Sequence, residues 1–119
     1  MDIIRKKERA AARPYTERKR EMAHTHSESA KRLFDIILRL ETKEECIAFF
    51  EDLCTVRELE DMAQRLDAAF LLESGMNYQD ISESVGISTA TISRVSKCLK
   101  YGSGYKIAIE KEKNAEDKA

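Results

Sequence analysis

The chain has 119 residues and a formal net charge of -1; 42% of it is apolar, 36% charged and 7% aromatic, with four glycines, one proline and no tryptophan. That length holds one small domain, and a composition so poor in glycine and proline and so rich in charge is that of an all-α protein with solvated outer faces. No apolar run approaches the roughly 20 residues a membrane span needs, and the charged N-terminus has no long apolar signal core, so a cytoplasmic protein is expected.

Residues 1–28 are rich in arginine, lysine and glutamate, are broken at Pro14 and show no sustained apolar stripe beyond Ile3 and Ile4. A flexible charged extension is expected there, outside a packed domain covering 29–109. Leu33, Phe34, Ile36, Ile37, Leu38 and Leu40 then surround more than half of a helix. One neighbour in so small a protein cannot cover that much apolar surface, which predicts burial between two chains. Thr42 and Glu45 have the spacing of a capping box and open a second helix bearing Ile47, Phe49, Phe50 and Leu53.

Thr55 and Glu58 repeat that spacing ahead of a long helix that should end at Gly75. Leu59, Met62, Ala63, Leu66, Ala69, Phe70 and Leu72 recur near the 3.6 period and form its expected core face. From Glu41 to Glu73 ten acidic residues stand against three basic ones, so this region should face away from any polyanion.

Tyr78 to Lys100, YQDISESVGISTATISRVSKCLK, reads as a helix-turn-helix. Ile81 and Val85 share a face of a short first helix, and Gly86 follows where a left-handed backbone is easiest for glycine. Small Ser82 lies where two steeply crossing helices come closest. Ser88 can cap the second helix, whose buried stripe is Ile92, Val95 and Leu99. Its outward residues are Thr89, Ala90, Thr91, Ser93, Arg94 and Lys97. Small hydrogen-bonding groups near a helix start suit base edges in a groove, while cations further along suit phosphate. From Arg94 to Lys106 the chain carries Arg94, Lys97, Lys100 and Lys106 and no carboxylate. Ser88, Thr89, Ala90, Thr91, Ser93, Arg94, Lys97 and Lys100 are therefore the candidate contacts to double-stranded DNA.

Tyr101 to Lys106 reads as a turn around Gly102 and Gly104, Ile107–Lys113 as a short or fraying helix, and 110–119 as a charged, solvated tail. Cys46, Cys54 and Cys98 are odd in number and lie in helical segments, so buried reduced thiols are expected in place of a disulfide framework. There is no CxxC, and His24 and His26 are remote from the cysteines, so neither a metal site nor a cofactor is expected. Nucleophile–base pairs and phosphate loops are also missing, which argues against an enzyme.

From about Ala30 to Tyr105 the chain resembles the Trp repressor superfamily, and within it the YerC/YecD-type group. DLCTVRELEDMAQRLDAAFLL (Asp52 to Leu72) and VGISTATISRVSKCLKYG (Val85 to Gly102) carry the resemblance. It implies an intertwined helical homodimer that regulates transcription by placing Thr89, Ala90 and Ser93 of each subunit into successive major grooves of near-palindromic DNA. It also places on Arg65 and Arg94 the two arginines that embrace tryptophan in the repressor. Val95 stands where the repressor has a space-giving glycine, and Cys98 where it has a ligand-contacting serine. Tryptophan is therefore not the expected corepressor. Arg65 also reads as a surface arginine paired with Asp61, and Arg94 as a phosphate contact. Two other readings stay open: a helix-turn-helix that binds protein, and a regulator that answers to another small ligand.

Overall fold

In a computed structural model of the chain, the structure describes residues 26–118, so the expected extension 1–28 lies almost wholly outside the described residues. These fold as helices with no strand among them: α1 (Glu28–Arg39), α2 (Lys43–Leu53), α3 (Val56–Glu73), α4 (Tyr78–Ile81), α5 (Thr89–Tyr101) and α6 (Gly104–Lys118). Between α4 and α5 the helix widens into a π turn over Ser82–Gly86. The chain divides after Ile47 into two units.

In the first unit, Ser27 begins α1 by accepting a hydrogen bond on Oγ from the Ala30 N–H at 3.1 Å. The helix ends as the Leu40 N–H bonds the Ile37 carbonyl. Its charged face carries the exposed Lys31–Glu28 pair, while His26 meets Phe34 edge to face at 5.5 Å. No residue of α1 is buried, and Leu38 is 83% exposed. The apolar excess read from Leu33 to Leu40 thus remains on the surface of the single chain. At the start of α2, Thr42 Oγ1 accepts from the Glu45 N–H at 3.1 Å. The Glu45 carboxylate reaches one residue further back than the expected box, accepting from the Glu41 N–H at 2.8 Å.

In the second unit the box at Thr55 is complete. Thr55 Oγ1 accepts from the Glu58 N–H at 3.1 Å, and Glu58 Oε1 accepts from the Thr55 N–H at 2.9 Å. The Thr55 backbone N–H, with the Thr55 side chain second, holds the Glu58 carboxyl below its ordinary range. A depressed carboxyl stabilises the fold above its unfolded pKa, and that contribution is lost as pH falls through the lower folded value. Glu58→Gln is therefore expected to flatten the acid limb of stability. Thermal melts from about pH 6 to about pH 3 bracket that window; acid limbs of equal slope in the two proteins would remove the carboxylate from the cap.

Helix α3 ends where Gly75 takes φ +94°, with the Gly75 N–H on the Leu72 carbonyl and the Met76 N–H on the Leu71 carbonyl. Asn77 then caps α4 through the Asp80 N–H at 2.9 Å. Helix α5 is central, packing against α3, α4 and α6. The core gathers Ala68 and Ala69 from α3, Ile81 from α4, Ile92, Val95 and Leu99 from α5, and Ile109 from α6.

Three expectations are corrected by the structure. The predicted core face of α3 is only partly internal: Leu59, Met62 and Leu66 are 37%, 36% and 39% exposed, whereas Ala68 and Ala69 are fully buried. The small alanines let α4 and α5 approach one side of the helix, and the larger residues form a second apolar stripe left open. The helix expected over Ile107–Lys113 is longer at both ends, because α6 runs unbroken over Gly104–Lys118. Residues 110–118 are exposed and belong to this helix. The thiols of Cys46, Cys54 and Cys98 are half-buried, not enclosed; α2 has no buried residue, and Cys98 flanks the buried stripe of α5. Among the described residues no helix is long and apolar enough to cross a membrane.

Candidate nucleic-acid interface

The turn that carries α5 is fixed by residues of small size. Gly86 adopts φ +84°, a region where a Cβ would strain the backbone. Ser82 Oγ donates to the Ile87 carbonyl at 2.6 Å, closing the π turn across its own base. Gln64 of α3 adds a longer contact, Nε2 to the Val85 carbonyl at 3.5 Å. A serine at 82 therefore does more than leave space: its hydroxyl satisfies a carbonyl that the widened turn would otherwise leave open.

Ser88 N-caps α5, with Oγ accepting from the Thr91 N–H at 3.1 Å. The two hydroxyls also lie 3.0 Å apart. Ser88 and Thr91 are thus committed to starting the helix, and the groups presented beyond them are Thr89, Ala90, Ser93, Arg94, Lys97 and Lys100. Thr89, Ala90, Arg94, Lys97 and Lys100 are exposed and Ser93 half-buried. Ile92, Val95 and Leu99 fill the opposite side. The helix has no acidic residue in its first turn, so its N-terminal dipole end is unopposed there. Asp80 and Glu83 are exposed on the preceding helical stretch, where Asp80 reciprocates with Asn77 and Glu83 accepts from Gln79. Those carboxylates keep their negative charge on the preceding stretch, whereas α5 itself carries Arg94, Lys97 and Lys100 and no carboxylate.

Tyr101 was read as the start of a turn, but it is the last residue of α5 and 49% exposed. It follows Lys97 by four residues and Arg94 by seven, and so shares their face. That spacing is the signal that could have placed it among the candidates.

Arg65 is half-buried on α3 and Arg94 exposed on α5. Among the described residues the ion pair formed is Lys31–Glu28, so the Arg65–Asp61 pair allowed by spacing is not made. Val95, which follows Arg94 in the chain, is 1% exposed and belongs to the core with Ala68, Ala69, Ile81 and Ile92. A cleft beside α3 is lined by Glu60, Gln64, Asp67, Phe70, Leu71, Ser84 and Val85, without either arginine.

The family model of the Trp repressor protein matches residues 28–113. The chain belongs to the Trp repressor family. It is 48% identical over 85 residues to YerC of Bacillus subtilis, an alignment spanning 71% of this chain and 82% of that protein. A Trp-repressor-type protein from Staphylococcus aureus superposes with a TM-score of 0.70 at 42% identity, covering 74% of this chain and 89% of its own. A TrpR-like protein from Eubacterium eligens gives 0.69 at 42% identity, covering 71% and 89%. Membership of this family points to a DNA-binding regulator rather than an enzyme.

Proposed function

We propose that this protein is a sequence-specific transcriptional regulator that acts in the cytoplasm and binds near-palindromic double-stranded DNA as a homodimer, without tryptophan as corepressor. The observation that carries the reading is the outer face of α5, where small groups at Thr89, Ala90 and Ser93 give way to the exposed cations Arg94, Lys97 and Lys100. The first set is small enough to let the helix start approach base edges; the second neutralises phosphates. Support for a dimer comes from the open stripe of Leu59, Met62 and Leu66 and from α1, apolar on many sides yet without a buried residue. A second subunit laid on these residues would remove from water the apolar surface that the single chain leaves exposed.

The direct test is selection from a random duplex library with purified protein. A two-fold symmetric enriched site is expected, and Thr89→Ala or Ser93→Ala should relax base choice with little change in melting temperature. Folded protein that enriches nothing would shift the reading to a protein partner.

A further inference from the structure

We propose that Tyr101 is a DNA-contacting residue: its phenol hydroxyl hydrogen-bonds a backbone phosphate, and its ring steadies the Lys100 ammonium beside it. The assignment rests on the DNA-binding reading above and extends it to the C-terminal end of α5. Tyr101 closes that helix and remains 49% exposed, one helical turn beyond Lys97 and on the same face, opposite Ile92, Val95 and Leu99. Lys100 Nζ stands 5.4 Å from the centroid of the Tyr101 ring, within the range of a cation–π contact. A lysine so placed keeps fewer rotamers than one waving in solvent, and its charge stays beside the phenol. From Arg94 to Lys106 the sequence has no carboxylate, so no like charge on this stretch opposes an approaching phosphate.

A phenol is neutral at physiological pH. It can strengthen binding by a hydrogen bond to the charged phosphate oxygen, yet it displaces no condensed counterion. This gives the contact a signature distinct from that of a cation. Tyr101→Phe retains the ring under Lys100 and loses only the hydroxyl; affinity is expected to fall roughly tenfold, by the same factor at every salt concentration and for every duplex sequence. Tyr101→Ala also releases Lys100 and should lose more.

The experiment is anisotropy titration of the wild type, Tyr101→Phe and Tyr101→Ala against the selected duplex and an unrelated one over a salt series, with melting curves as a fold control. The expected result is a parallel downward shift for the phenylalanine variant with an unchanged melting temperature. A wild type that binds while Tyr101→Phe is indistinguishable from it overturns this assignment alone. A lowered melting temperature that accounts for the loss assigns Tyr101 to the fold and overturns it too. A wild type without salt-sensitive binding overturns the DNA-binding reading together with the assignment.

Discussion

Val95→Gly is expected to destabilise the folded protein by roughly 3 kcal/mol, the sum of a buried valine side chain lost from the core and a glycine placed inside a helix. Val95 is 1% exposed, and the core it belongs to draws on α3, α4, α5 and α6; a hole there loosens the junction of the helix-turn-helix with its neighbours. Chemical denaturation of the two proteins measures the difference. The same pair of proteins tests the ligand reading. Val95 is part of the closed core, and on the proposed reading calorimetry should record no binding of L-tryptophan by the unaltered protein. Heat of tryptophan binding to the wild type would show that the core does not close the pocket.

The largest effect on DNA binding is expected from replacing Arg94, Lys97 and Lys100 by alanine together. Each phosphate contact contributes about 0.9 to the slope of log affinity against log salt, so three lost contacts should flatten it by about 2.7 per subunit. The three side chains are exposed, and folding should be nearly unaffected. A salt titration of affinity for the selected duplex reads the change directly. An unchanged slope in the triple variant would remove the outer face of α5 from the interface, whatever the protein's remaining affinity for DNA.

Local devices were the most legible part of the chain. Gly86 marks the turn by its positive φ, Ser88 and Thr55 cap their helices, and Ile92, Val95 and Leu99 are the buried stripe of α5. Each of these is settled within a few residues of sequence. The division of apolar residues between a core and an open stripe is different. Leu59, Met62 and Leu66 follow the same period as Ala69, and periodicity cannot tell which neighbour will cover them. The extent of α6 beyond the helix expected at Ile107–Lys113 was hidden for a related reason: most of its residues are charged or exposed, so no apolar repeat announces it. The π turn escaped because a serine hydroxyl bonding a carbonyl five residues on leaves no mark that separates it from a serine chosen for size. Tyr101, in turn, was masked by the glycines that follow it.

The residues that hold α5 in place and the residues that it presents outward are different residues. Ser88, Ile92, Val95 and Leu99 fix the helix, while Thr89, Ala90 and Ser93 lie on its presented side. Substitution at the second set leaves the first untouched. Under the proposed function, point mutations at a few presented positions would change the DNA word that this scaffold reads without passing through an unfolded ancestor.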